Sequence, residues 1–198
     1  MKILIYTGYR TGSKSLGDWL QIELGIPYYH EYYNKNNPEK WERMRKINLD
    51  KINNYIIKIS PGDGFNFDEI VNGFDKVILL YREDTMSQAQ SMIWAKANEV
   101  WHSTHVNGIF RYAHYNIDDK FLTDNSEKID SLKTIFDDEV NFLKSKNIGL
   151  LISYEDLYMN GTGIKKIENY LEISTRTMFN TNDKLRNNTI YNKSKTLI

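Results

Sequence analysis

A turn rich in glycine and hydroxyl residues lies near the start of the chain. Residues 8–15 read Gly-Tyr-Arg-Thr-Gly-Ser-Lys-Ser, after an apolar run that predicts a strand and before an amphipathic segment that predicts a helix. Glycines such as Gly12 allow backbone N–H groups to converge, and the helix N-terminus adds positive potential. Arg10 and Lys14 add full charges, and hydroxyl donors come from Thr11, Ser13 and Ser15. These residues predict a site for a phosphate or sulfate.

Two kinds of phosphate loop fit this segment. The nucleoside-triphosphate loop reads G-x-x-x-x-G-K-[ST], and residues 8–15 match it except that Ser13 replaces the second glycine. The 5′-phosphosulfate loop of sulfotransferases reads approximately R/K-[ST]-G-[ST]-[ST]. Residues 10–13 match that pattern, with Lys14 in place of its last hydroxyl residue. The loop alone does not separate the two.

Downstream motifs add a family resemblance. Residues 80–102 contain Leu-Tyr-Arg-Glu-Asp, Gln-Ala-Gln-Ser, Trp-Ala and Val-Trp-His, and residues 153–157 read Ser-Tyr-Glu-Asp-Leu, followed by Ile-Glu-Asn-Tyr-Leu at 167–171. This order resembles the bacterial sulfotransferases typified by the trehalose enzyme, over about residues 3–102 and 148–173. The resemblance implies a P-loop-type α/β fold and 3′-phosphoadenosine 5′-phosphosulfate as the donor.

The resemblance also assigns residues to that donor. It implies that Arg82 and Ser91 hold the 3′-phosphate, with Ser87 as a substitute for Ser91, and that Tyr154 lies near the adenine. Other roles stay open from the residues alone. Arg82 could pair with Asp84, Ser91 could face solvent, and Tyr154 could pack in the core.

The implied reaction moves a sulfuryl group in line from the donor to a hydroxyl of a small-molecule or carbohydrate acceptor. Catalysis then consists of positioning and charge neutralisation, with no metal. The loop position assigns Arg10 to the departing phosphate, and Lys14 shares this role. Lys58 resembles the lysine of a Lys-Thr-His stretch in animal sulfotransferases, but Ser60 stands where the histidine base would be.

A replacement base is therefore needed. Residues 27–33 read Pro-Tyr-Tyr-His-Glu-Tyr-Tyr, and Glu31 matches a glutamate that faces the acceptor in the trehalose-type group. A carboxylate there could take the acceptor's proton, and His30 is the second choice. A tyrosine-rich loop with solvated charges is an equally good interpretation of this stretch.

Two other functions compete with the sulfotransferase. A P-loop kinase using ATP and Mg²⁺ is favoured by the near match at residues 8–15, but the strand at 76–81 leads into Arg82 rather than a magnesium-binding aspartate. A nucleotide-binding module without catalysis would keep the loop alone. Three histidines, His102, His105 and His114, lack a carboxylate signature, so no metal site is predicted.

Composition excludes several classes of protein. The 198 residues include 26 Lys and Arg, 26 Asp and Glu and no cysteine, which excludes disulfides and thiol chemistry and argues against nucleic acid as a partner. No apolar run approaches the roughly 20 residues of a membrane span. A cytoplasmic protein with no membrane partner is expected, and a homodimer is left open.

Alternating apolar runs and helical periods predict an α/β fold: a P-loop-type, three-layer arrangement with a central, mostly parallel sheet flanked by helices. Strands are predicted at 3–6, 55–59, 76–81 and 149–153, and helices at 15–24, 38–50, 84–101, 126–146 and about 164–171. We expect a single domain over residues 1–198, with an Asn-rich tail from about residue 180 that is partly disordered.

Overall fold

The computed structural model describes residues 1–30, 47, 49–98, 104–106, 109–111 and 117–175, the two short stretches 104–106 and 109–111 by backbone alone. The strands are β1 Lys2–Thr7, β2 Tyr28–Tyr29, β3 Tyr55–Ile59, β4 Lys76–Tyr81, β5 Thr104–Val106, β6 Ile109–Arg111 and β7 Leu150–Ser153. The helices are α1 Ser13–Leu24, α2 Phe67–Val71, α3 Thr85–Ala97, α4 Asp119–Asp124, α5 Ser126–Ser145, α6 Tyr154–Tyr158 and α7 Gly163–Leu171.

The central sheet has five parallel strands in the order β2-β3-β1-β4-β7. Apolar β-branched and leucine side chains dominate β1, β3 and β4, as expected of parallel strands covered on both faces. Because all five strands run the same way, their carboxyl ends meet at one edge. That edge carries the loop after β1, Ser60 after β3, Arg82 after β4 and Tyr154 after β7.

Side chains of β1 alternate between two apolar clusters, one on each face of the sheet. Ile3 and Ile5 pack with α1, α6 and α7, whereas Leu4 and Tyr6 pack with α2 and the end of α5. The result is a helix–sheet–helix sandwich in which the loop of residues 8–12, predicted to bind an anion and below called the anion loop, follows the central strand. The predicted fold class, a P-loop-type α/β fold with a parallel sheet flanked by helices, is confirmed.

The chain divides into two compact units. The first contains Met1–Glu83 and Glu139–Phe179, and the second contains Asp84–Asp138 and Asn180–Ile198. The whole sheet and its two clusters belong to the first unit. The single domain expected from the sequence stays a prediction.

The second unit has its own small core. Ala89 of α3 packs with Ile129 and Phe136 of α5. Within the same unit, the Thr85 hydroxyl donates to an Asp137 oxygen over 2.6 Å. Lys133 donates to the other Asp137 oxygen over 2.5 Å. The bonds from Lys133 and Thr85 hold the pKa of Asp137 below its usual value.

The elements follow the predicted ones closely where the apolar pattern is strong. A predicted helix from residue 38 lies mostly outside the described residues, as does the tail after residue 175. In the part of the chain that the structure describes, no helix is both long and apolar enough to cross a membrane.

Candidate anion-binding site

The loop after β1 turns on two left-handed residues. Arg10 has φ 61° and Gly12 has φ 77°, and α1 begins at the next residue, Ser13. A positive φ is uncommon for a residue with a side chain, and such strain concentrates at functional sites. The hydroxyls of Thr7 and Thr11 lie 2.6 Å apart and share a buried hydrogen bond across the base of the turn. The loop is therefore held in one shape by β1 and α1.

Tyr158 of α6 fixes the last residue of this loop. Its hydroxyl donates to the Gly12 carbonyl oxygen over 2.7 Å. A Cβ atom at position 12 would lie 2.5 Å from Cε2 of the Tyr158 ring. Glycine is thus required at position 12 for its backbone conformation and for this close approach. The sequence analysis missed Tyr158, although its spacing of four residues from Tyr154 places both rings on one helical face.

Arg82 occupies the same edge of the sheet, one strand along. Its guanidinium carbon lies 4.7 Å from the centre of the Tyr154 ring. The Tyr154 ring in turn stacks on Tyr158 at 4.7 Å. Among the described residues, none accepts a hydrogen bond from the buried Nε of Arg82. The guanidinium therefore lies on an aromatic platform, the stacked rings of Tyr154 and Tyr158, and its Nε is a donor that no described residue uses.

The predicted loop, Arg82 and Tyr154 lie near one another at this edge of the sheet. Register pairs Thr7 with Leu80 and Tyr81 with Ser153, so the loop, Arg82 and Tyr154 follow three neighbouring strands. Tyr154 is buried, with 6% of its surface exposed. Its role as a support for Arg82 is visible, whereas its role as an adenine contact stays a prediction.

Lys58 lies on β3, where its side chain is 3% exposed. Its ammonium nitrogen lies 5.4 Å from the centre of the Tyr9 ring, which belongs to the anion loop. The position predicted from the resemblance therefore does bring Lys58 next to the loop. A buried cation at this edge adds positive potential for an anion.

Ser60, which by resemblance stands where animal sulfotransferases have a histidine, has a local structural role. Its backbone N–H donates to Asp63 over 2.8 Å, and Asp63 N–H donates back to the Ser60 carbonyl over 2.9 Å. This reciprocal pattern caps the short 3-10 turn Pro61–Asp63. Ser60 is 4% exposed. It therefore serves as a turn cap at this edge.

Glu139 of α5 is a residue that the sequence analysis did not identify. It is half-buried, and desolvation raises its pKa to about 7, although the Lys58 ammonium opposes that shift. Tyr6 has its pKa raised to about 12, first by burial and then by the negative charges of Glu139 and Asp63. No sequence signal pointed to Glu139, because only the apolar residues of α5 indicated its buried face.

The remaining predicted residues lie apart from this group or outside the described residues. Lys14 is exposed and pairs with Asp18 over 2.5 Å on α1, and Ser15 follows it in the first turn. Ser91 lies half-buried on α3 of the second unit, so its pairing with Arg82 stays a prediction. Glu31 lies outside the described residues. His30 contacts the Tyr28 ring edge-on at 5.8 Å.

Potential metal ligands do not gather in the described residues. Among them, no group of three or more His, Asp or Glu side chains is arranged to hold a metal ion. The structure describes no side chain of His102, His105 or His114.

The fold and the loop define an α/β protein of the P-loop type, with a candidate anion-binding site at one edge of its sheet. No family model and no curated protein matches the chain. Solved structures similar to it include shikimate kinase from Aquifex aeolicus, with TM-score 0.48 and 17% identity over 87% of this chain and 96% of that one. Shikimate kinase from Bacteroides thetaiotaomicron has TM-score 0.44 and 13% identity over 87% and 99%. At these TM-scores the likeness carries no argument about activity.

Proposed function

We propose that this protein transfers a sulfuryl group from 3′-phosphoadenosine 5′-phosphosulfate to a hydroxyl acceptor. The observation that supports the proposal is that the loop of residues 8–13 and Arg82 lie at the same edge of the sheet, after neighbouring strands. The loop of residues 8–13 suits the 5′-phosphosulfate, and Arg82 on its Tyr154 platform suits a second phosphate. A donor with phosphate groups at both its 5′ and 3′ positions needs both sites.

Arg82 has the properties that a phosphate dianion requires. A guanidinium presents several donors in a fixed fork, and a charge-assisted bond to phosphate is roughly twice as strong as a neutral one. The buried Nε has no acceptor among the described residues, which is costly unless a ligand supplies one. We place the donor's 3′-phosphate at Arg82, and the part of Ser91 in holding it stays a prediction from the sequence resemblance.

The chemistry at the loop follows from charge. As the sulfur leaves the 5′-phosphate, negative charge builds on the bridging oxygen, and a cation placed there stabilises the transition state. Arg10 in the loop and Lys58 beside Tyr9 are the cations in this neighbourhood, and Lys14 remains a third candidate. The donor is a cosubstrate in this scheme, and no metal takes part in it.

A kinase using ATP and Mg²⁺ is the second candidate. Its support is the loop spacing, in which Lys14 stands on the first turn of α1 where a P-loop lysine would stand. However, the strands on either side of β1 lead into Ser60 and Arg82, where a magnesium-dependent enzyme would have a carboxylate. No family or curated match supports either activity. A binding module without catalysis is the third candidate.

Thermal unfolding with three ligands separates these functions. Adenosine 3′,5′-bisphosphate should raise the melting temperature without Mg²⁺, because a ligand at 100 times its Kd stabilises the folded state by about 2.7 kcal/mol. ATP with and without Mg²⁺ should stabilise it less. Stabilisation by ATP only with Mg²⁺, and none by the bisphosphate, would establish the kinase instead. Binding of the bisphosphate without transfer to any sugar, phenol or alcohol would indicate the module.

A further inference from the structure

The short helix α6 contacts two segments of the sheet edge at once. Tyr158, its last residue, donates to the Gly12 carbonyl oxygen of the anion loop over 2.7 Å. Glu155, its second residue, accepts a hydrogen bond from Glu83 N–H over 3.0 Å, and Glu83 directly follows Arg82 in the chain. A helix of five residues thereby joins the loop after β1 to the segment after β4.

Hydrogen bonds at its own start and to α7 hold α6 in place. The Ser153 hydroxyl accepts from Asp156 N–H over 3.0 Å and so caps the helix. The Asp156 carboxylate accepts from the Lys166 ammonium over 2.7 Å and from the Thr162 hydroxyl over 3.1 Å. Because α6 is bonded at both places, it is a fixed support for the side chains that it carries.

The Tyr154 ring of α6 connects the two attachments. The guanidinium carbon of Arg82 lies 4.7 Å from the centre of this ring, and the Tyr158 ring stacks on it with centres 4.7 Å apart and an angle of 29°. A chain of contacts therefore runs from Arg82 through Tyr154 and Tyr158 to Gly12, and all of it lies within the first unit.

An aromatic ring under a guanidinium changes what phosphate binding costs. An arginine side chain has many rotamers, and the freedom that it loses on binding reduces the affinity. The face of a tyrosine ring attracts a cation and so orders the guanidinium before the ligand arrives. Tyr154 is 6% exposed, which leaves little of its ring for an adenine to stack on. Its surroundings thus suit a support for Arg82 better than a contact with the base.

We propose that Tyr154 is a positioning residue that determines the specificity for a 3′-phosphate, an inference that rests on the sulfuryl-transfer function. Tyr154 acts through Arg82. The ring holds the guanidinium in one orientation, and the stack on Tyr158 ties that orientation to the anion loop. A nucleotide with phosphates at both its 5′ and 3′ positions gains affinity from this arrangement, and a nucleotide without the 3′-phosphate does not.

The proposal is tested by calorimetry with adenosine 3′,5′-bisphosphate and adenosine 5′-monophosphate. The measured quantity is the ratio of the two affinities, called here the 3′-phosphate preference. Y154L removes the ring, and Y154F keeps the ring without its hydroxyl. Circular dichroism checks folding, and Y154M takes the place of Y154L if the leucine variant does not fold.

The matched control is Y55L. Tyr55 is also 6% exposed, and it also has a cation near its ring, with the Lys2 ammonium 5.9 Å from the ring centre. Tyr55 begins β3, however, so it lies at the opposite edge of the sheet from the anion loop. Y55L therefore reports what the loss of a buried tyrosine does to the protein in general.

The wild type should prefer the bisphosphate about thirtyfold. Y154L should reduce this preference about tenfold, on the scale of a desolvated cation–π contact, and should change the monophosphate affinity by less than about threefold. Y154F and Y55L should keep the preference. Adding Y154L to R82A should not change the preference further, because the ring acts only through the guanidinium.

Several results would overturn the proposal. An equal loss of affinity for both ligands in Y154L would assign the ring to the adenine, and unchanged affinities would exclude it from binding. A preference lost in Y55L as well would make the effect a general one, and a preference lost in Y154F would assign it to the hydroxyl. A wild type that does not prefer the bisphosphate would instead refute the proposed function, before any residue is changed.

Discussion

Arg10 and Gly12 adopt left-handed backbone conformations within three residues, and the side chains around them explain how the turn is maintained. The Thr7–Thr11 hydrogen bond closes the base of the turn, and the Tyr158 hydroxyl holds the Gly12 carbonyl. These contacts preorganise the loop, so an incoming anion need not order it. The strain of the positive φ at Arg10 is therefore already present in the folded protein before any ligand binds.

Removing the Tyr158 hydroxyl should affect both stability and binding. In Y158F the Gly12 carbonyl loses the shorter of its two hydrogen bonds and keeps the one from Leu16 N–H. The free energy of unfolding should fall by about 1 kcal/mol. Bisphosphate affinity should also fall, because the loop becomes less ordered. The matched control is Y170F, which removes a hydroxyl that accepts from Val77 N–H over 3.1 Å at the opposite end of β4. Urea unfolding and calorimetry measure the two effects.

Y170F should lower the free energy of unfolding by a similar amount and leave the affinity for adenosine 3′,5′-bisphosphate unchanged. Equal affinities in Y158F and wild type would contradict the role given to Tyr158, since the loop would then hold its shape without that bond.

At the scale of elements, α1 has two functions: its N-terminus follows the anion loop, and its inner face covers the sheet. Leu16 and Leu20 are fully buried against β1, β3 and β4, whereas Ile22 is 66% exposed. The helix ends at Gly25, whose left-handed conformation lets its N–H bond the Gln21 carbonyl. Packing of this face therefore fixes the direction in which the helix N-terminus points.

Truncating a leucine and an isoleucine on opposite sides of α1 should lower the free energy of unfolding by very different amounts. L20A should lower the free energy of unfolding by about 2–5 kcal/mol, because it leaves a cavity against the sheet. I22A, on the exposed side of the same helix, should change it by less than about 0.5 kcal/mol. Urea titrations of both variants give the comparison. A similar cost for the two would mean that α1 packs through a different face.

The sequence predicted helices and strands well where several apolar residues lie close together in the chain. The predicted strand 76–81 matches β4, and residues 126–146 predict α5 to within one residue. Short elements were missed: α2 and α6 have five residues each, too few for a helical period to appear. On α3 the residue types do not follow burial throughout, because apolar Met86 and Ala97 are exposed and polar Gln88 is buried. The order of the strands in the sheet was not predicted from the sequence, because it depends on packing between distant segments.

The candidate site was predictable to the extent that its residues lie in local motifs. The loop lies between a strand and a helix, so its residue types indicated an anion site directly, whereas the role of Arg82 came from the family resemblance. Tyr158 was not identified because its role arises from a hydrogen bond between distant segments, 146 residues apart along the chain. Glu31 lies outside the described residues, and its role as a base stays a prediction.

For the whole molecule, the account depends on one edge of the first unit binding two anionic groups of one ligand. The loop, Arg82 and Lys58 supply positive charge there, although the chain as a whole has 26 basic and 26 acidic residues. Local concentration of charge in a neutral protein favours a specific anionic ligand over general attraction to polyanions.

The most direct test is a calorimetric cycle with two ligands and two proteins. Adenosine 3′,5′-bisphosphate and adenosine 5′-monophosphate, which lacks the 3′-phosphate, are each titrated into wild type and R82A. The wild type should prefer the bisphosphate by about 2 kcal/mol or more, about thirtyfold, the range for a buried charge-assisted contact. R82A should lose most of that preference and bind the monophosphate as the wild type does. An R82A protein that keeps the full preference for the bisphosphate would contradict the account.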